Sequence, residues 1–304
     1  MKLDNLTQNL LNQIANLHEL PNGAVSFRKN GKSQVVNSTP NIEIIKKKDN
    51  SGMDIYIHST CQNEACHIPV VITENGLFDL VYNDFYIEDN AVVTIVAGCG
   101  VHSTDEAGHD GIHTFHIGKN AQVNYVENHL AIGNGNNKMM NPTTVLNVGE
   151  NSVVTMITNQ IGGVDFSNRI TKANLSAGAV LTVEEKILTE RFNVAKTDFK
   201  VNLNGENCKC TIKSKSVAKD ESEQVFKSNL VGKNLCFGHV ECDGILLDNA
   251  KIDSVPRVCA KSNLASLSHE ASIGKIATDQ IVKLMTLGLS EKQAEQKIIE
   301  GFLK

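Results

Sequence analysis

A turn unit recurs seven times along this chain: an Asn or Gly, in most copies a small residue after it, and then an alternating apolar run. The copies are Asp89-Asn90-Ala91, Lys119-Asn120-Ala121, Glu150-Asn151-Ser152, Ala177-Gly178-Ala179, Glu206-Asn207-Cys208, Lys233-Asn234-Leu235 and Asp248-Asn249-Ala250. Successive Asn or Gly positions lie 30, 31, 27, 29, 27 and 15 residues apart. Spacings of this size mark solenoids, in which each coil buries its apolar surface only against its neighbours. The short last interval predicts half a coil.

Asn and Gly tolerate the left-handed backbone region that a tight corner demands. The runs that follow, such as Val92-Val93-Thr94-Ile95, Gln122-Val123-Asn124-Tyr125, Val153-Val154-Thr155-Met156 and Val180-Leu181-Thr182-Val183, alternate between two faces as strands do. No helical period separates them. The pattern therefore predicts a right-handed parallel β-helix over residues 27–262, interrupted by polar, Gly-rich stretches at Gly98 to Asp110 and Gly133 to Asn141.

The ends read differently. Leu3, Leu6, Leu10, Ile14 and Leu17 recur at helical spacing before Pro21-Asn22-Gly23, so residues 1–26 are expected to form an N-terminal helical segment. Residues 263–304 turn helical again. Asp279 to Leu287 reads as one helix stopped by Gly288, and Ser290-Glu291-Lys292-Gln293 is a capping box opening a second, with Ala294, Ile298 and Phe302 on one face.

A chain of 304 residues with 41% hydrophobic content can bury a substantial core. Its net charge of -5 and lack of Trp give no basic face or stacking platform for a nucleic acid. Asp4, Gln8, Asn9, Asn12 and Gln13 break any signal-like apolar run, and no stretch approaches a membrane span, so a cytoplasmic location is expected. That also weighs against a secreted carbohydrate-active β-helix enzyme. In a reducing cytosol the eight cysteines point to metal or redox chemistry more than to disulfides. Cys208-x-Cys210 falls on the small and inward positions of the repeat and reads as core, as does Cys236. Cys61-x4-Cys66-His67, outside the repeats, could bind metal, but chance placement of scattered residues accounts for it better. Cys99, His102, His109, His113 and His116 are the densest group of metal-capable side chains. Strand alternation sends His113 and His116 to opposite faces, and for Cys99 and His102 a metal role and a solvated loop both remain open.

The run Gly238-His239-Val240-Glu241-Cys242-Asp243-Gly244-Ile245-Leu246-Leu247, then Ser268-His269-Glu270-Ala271 and Leu284-Met285-Thr286-Leu287-Gly288-Leu289-Ser290-Glu291, resembles the C-terminal signature of the SufB/SufD family. Val217-Ala218-Lys219-Asp220-Glu221-Ser222 fits as well. The resemblance implies a scaffold, not an enzyme, on which an iron-sulfur cluster is assembled with sulfur-donor and cluster-acceptor proteins. It implies a SufC-type ABC ATPase docked on Thr278 to Lys304, since no Gly-x-x-x-x-Gly-Lys-Ser/Thr loop is present here. It further implies that Cys242, His269 and Glu270 are cluster ligands; Cys259, close to Cys242 in sequence, is an additional candidate. Where the larger B-type subunit carries a sulfur-accepting cysteine, this chain has His129, which leaves Cys99, Cys242 or free sulfide as the entry route. Because one chain holds both the Cys and the His-Glu motifs, a homodimer joined near the β-helix ends is expected. The alternative is a D-type adaptor of the ATPase that binds no cluster.

Overall fold

The computed structural model describes residues 3–49 and 51–304. Two ten-stranded sheets stack along a solenoid, each coil giving one strand to either sheet. Val92–His102 lies in the first sheet, Ala107–Ile117 in the second, and Gln122–Ile132 returns to the first. Strands one coil apart pair in parallel, placing Val93 against Val123 and Phe85 against Phe115. The alternation expected from sequence is present: Val93, Ile95 and Ala97 are buried, whereas Val92, Thr94 and Val96 are partly open. Inside, Phe85 stacks on Phe115 at 4.4 Å between ring centroids, and Tyr125 tilts against the pair. Each fully buried side chain of this size contributes roughly 1.5–3 kcal/mol.

The corners explain the repeat and correct part of it. Asn90, Asn120, Asn151, Gly178 and Asn207 all have φ between 54° and 66°, and each precedes a strand of the first sheet. Their backbone N–H groups donate to the next coil, Asn90 to Lys119 O at 2.8 Å and Asn120 to Glu150 O at 2.9 Å, so the turns form a ladder of their own. Asn234 does not adopt the left-handed conformation. The unit at Asn249 belongs to the opposite corner, where Arg191, Asp220 and Asp248 are left-handed and lead into the second sheet. The half-coil interval is the step from one corner to the other.

The first solenoid end is closed. The antiparallel pairs Ala24–Lys29 with Lys32–Asn37, and Ile42–Lys46 with Gly52–Ile57, finish the two sheets. Arg28 bridges the sheets there, donating from Nε and Nη2 to both carboxylate oxygens of Asp79 at 2.7 Å. Helix α1, Asn5–Ala15, starts at an Asp4 cap and stops at left-handed Asn16, well before the expected Pro21-Asn22-Gly23. It lies across the first sheet over Gly98 and Gly100. A Cβ at Gly98 would come 2.7 Å from Ile14 O, and one at Gly100 would come 3.1 Å from Leu10. These glycines are therefore strand positions that seat a helix, not the interruption expected at Gly98 to Asp110; only residues 103–106 turn there. The second expected interruption likewise contains a short strand, Lys138–Met140.

Helices α2 (Thr278–Met285) and α3 (Glu291–Phe302) pack beside the last coils through Ile276, Ile299 and Val217. The Ser290 to Gln293 capping box is present on both arms. Val282, Met285 and Leu287 remain exposed. Among the described residues no helix is long and apolar enough to cross a membrane.

Candidate functional site

Strands Lys251–Ala260 and Ala265–Gly274 end the second and first sheets, each pairing on one side only. Cys242 lies one strand in, on Cys236–Leu246, with Ala271 of the terminal strand as its register partner. Its side chain faces inward and is 1% exposed. Burial pushes the thiol up, and the Ser254 hydroxyl from the opposite sheet offsets part of this. His269 pairs with Val240 and so belongs to the same inner face, but no further coil covers it and it is exposed.

Glu270 is one residue on and therefore on the outer face. It pairs with Glu241, and its Oε1 lies 3.2 Å from His239 Nε2. The ligands implied by resemblance are thus split: Cys242 and His269 share the interior side of the sheet, while Glu270 shares the exterior side with His239 and Glu241.

Behind Cys242 the inner face is polar. Glu127, Thr158, Glu185, Ser214 and Cys242 occupy one row of register partners. Ser214 Oγ donates to Glu185 Oε2 at 2.9 Å, and Thr197 Oγ1 donates to Glu185 Oε1 at 3.0 Å. Arg169, 3% exposed, lies between two buried carboxylates: it is hydrogen-bonded to Glu127, and its Nε is 3.8 Å from Glu185. Burial opposes ionisation of both acids. For Glu127 the guanidinium together with His129 and His113 outweighs it and holds the carboxyl well below its usual range; for Glu185 burial prevails and the pKa rises. Arg169 and the two imidazoles thus favour the ionised form of Glu127 over that of Glu185. Further along, Tyr125 Oη donates to Glu127 at 3.0 Å and meets His113 Nδ1 at 2.9 Å. Burial lowers His113 to about 4 and also lowers His129.

A family model described as SUF system FeS cluster assembly, SufBD core domain, matches residues 75–302. The chain belongs to the SufBD family. The match spans the coils from Phe78 onward together with the whole of α2 and α3. Among similar SufBD proteins, all described as iron-sulfur cluster assembly SufBD family proteins, one from Methanocaldococcus jannaschii is 28% identical over 78% of this chain and 75% of its own length. One from Pyrococcus horikoshii is 26% identical over 88% of this chain and 83% of its own. One from Archaeoglobus fulgidus is 29% identical over 74% of this chain and 60% of its own. This SufBD chain therefore falls in a family devoted to iron-sulfur cluster assembly.

The remaining candidates separate. Cys259 pairs with Val231 on the outer side of the second sheet, away from the interior face that carries Cys242. Cys99 points inward beside His129, whereas His102 lies on the outer face of the same strand, so one ion cannot use both. Burial raises the Cys99 thiol well above its usual range, which suppresses the thiolate. His109 and His113 face inward and His116 outward, as alternation requires. Cys61, Cys66, Cys208, Cys210 and Cys236 are buried core thiols, and the Cys61 Sγ–H donates to Val92 O. Sequence reasoning missed His239, Glu241, Arg169 and Glu185. The signal available was the coil length: Glu241 and Glu270 are 29 positions apart, one repeat.

Proposed function

We propose that this chain is a SufB-like scaffold that holds a nascent iron-sulfur cluster at a subunit contact, in partnership with a SufC-type ABC ATPase in the cytoplasm. The observation that carries this reading is the open solenoid end, where Cys242 and His269 share the interior face of the last two strands of the first sheet, the outermost of which pairs on one side only. A second copy meeting this end through its own edge strands would double the ligand set about a two-fold axis and satisfy the free backbone groups. Thiolate with imidazole suits a cluster that must later be released.

Cys242 is sealed beneath the terminal coil, so cluster binding requires that coil to shift. The exposed Val282, Met285 and Leu287 of the α2 region offer the ATPase an apolar dock adjoining it. Nucleotide-driven movement of that dock is the device that would uncover the thiol. The same burial favours a second reading, a D-type adaptor that never ligates a cluster.

Anaerobic reconstitution with iron and sulfide, with the ATPase and ATP present, separates the two. The scaffold reading expects a visible chromophore and bound iron that Cys242→Ala and His269→Ala both lose while remaining folded. A parent protein that holds no cluster under these conditions supports the adaptor.

A further inference from the structure

Among the described residues, one group brings three metal-ligating side chains together, and it excludes Cys242. The ligand atoms of His239, Glu241 and Glu270 all lie within 4.8 Å of one another. His239 Nε2 and Glu270 Oε1 are 3.2 Å apart. Two ligands at adjacent positions around a first-row dication with bonds of ~2.1 Å stand about 3.0–3.4 Å apart, so this pair needs almost no movement to chelate one.

The strand register builds the group. Glu241 and Glu270 are direct cross-strand partners, and His239 precedes Glu241 by two positions, so all three side chains project from the same outer face. Like charges facing each other across strands are unfavourable without a cation between them. The histidine is aimed: its Nδ1 lies 2.9 Å from Ser268 Oγ, the outer contact that orients a metal-bound imidazole and fixes its tautomer. Lys213 Nζ, 3.0 Å from Glu241 Oε2, offsets one carboxylate. Asp243 adds a third acid beside the group. The side chains of His239, Glu241 and Glu270 are 23%, 28% and 66% exposed, leaving room for water in the remaining coordination positions.

We propose that His239, Glu241 and Glu270 form a solvent-facing site for one divalent transition cation on the outer face of the terminal strands, separate from the thiol site on the inner face. One imidazole and two carboxylates leaving open positions make a donor set for ferrous iron and its neighbours in the first row, not for a sulfur-ligated cluster. That iron is the cargo rests on the scaffold reading; that a cation binds here does not. The site is accessible in the conformation in which Cys242 is sealed, so iron can be taken up before the thiol is exposed.

The test is an anaerobic titration of the full chain with cobalt(II), read by its visible absorption and by calorimetry, and repeated with iron(II). One ion per chain is expected. His239→Ala and Glu241→Gln, both surface changes, each weaken binding at least tenfold, while Cys242→Ala leaves it unchanged. Absence of cobalt and iron binding in the parent, or equal binding in His239→Ala and Glu241→Gln, overturns the proposal. Loss on Cys242→Ala also overturns it, by placing the ion at the thiol. A parent that binds one ion at this site yet holds no cluster with the ATPase refutes the scaffold reading and leaves the cation site standing.

Discussion

The two ends of this solenoid are built on opposite principles. At the first, hairpins close both sheets, α1 covers the glycine seat at Gly98 and Gly100, and Arg28 ties the sheets together through buried Asp79. At the last, the two edge strands pair on one side only with no hairpin folded against them, and Val258 and Leu264 are 37% and 56% exposed. Solenoids need polar or covered termini to stay soluble, and exposed edges invite another chain. The first terminus is covered by its own chain, and the last leaves the edge that the proposed second copy would cover.

The largest expected effect tests that division. Arg28→Met strands a buried carboxylate at the closed end and costs about 3–5 kcal/mol. Arg257→Met at the open end, where the guanidinium only meets Asn229 on the surface, stays within ~0.5 kcal/mol. Urea unfolding of both variants measures the contrast; equal losses would erase it.

The closed half should also carry the acid sensitivity. An unfolded histidine titrates near ~6.5, but buried His113 titrates at about 4. Between those values the unfolded chain binds the additional proton, so stability falls as pH drops through this window, by up to ~1.4 kcal/mol per pH unit from this one group. Above it the contribution is flat. Unfolding of His113→Gln between these limits should show a shallower slope than the parent, and an unchanged slope would remove His113 as the cause.

The proposed subunit contact puts self-association at the open end. Combining Val258→Glu with Leu264→Glu should weaken self-association at least ~10-fold, or about 1.4 kcal/mol, with the thermal midpoint of the isolated chain nearly unchanged. Light scattering across a concentration series reads this; a double variant that dimerises like the parent places the contact elsewhere. The smallest effect is local: Ser290→Ala removes one arm of the α3 capping box and costs ~1 kcal/mol, visible as faster hydrogen exchange in Glu291–Phe302.

Much of this architecture was legible because corner chemistry and alternation are local. Asn90 and Asn120 announce their turns through backbone preference alone, and Val93 and Ile95 announce the interior through period two. Helix α1 was legible as a helix but not in its extent, because Leu17 continues the apolar spacing past left-handed Asn16 and still packs in the same cluster. The seat at Gly98 and Gly100 read as an interruption because its reason, the approach of Ile14, lies far away in sequence. The site was legible only by motif. Neighbouring letters such as His269 and Glu270 look like a pair, yet a strand separates what sequence juxtaposes, while Glu241 and Glu270 meet through register.

That alternation makes the terminal strand a partition one backbone thick. Cys242 and His269 lie on one side and His239, Glu241 and Glu270 on the other, so the sheet keeps two donor sets apart before anything binds. Any particle that touches both Cys242 and Glu270 must straddle the free rim of Ala265–Gly274.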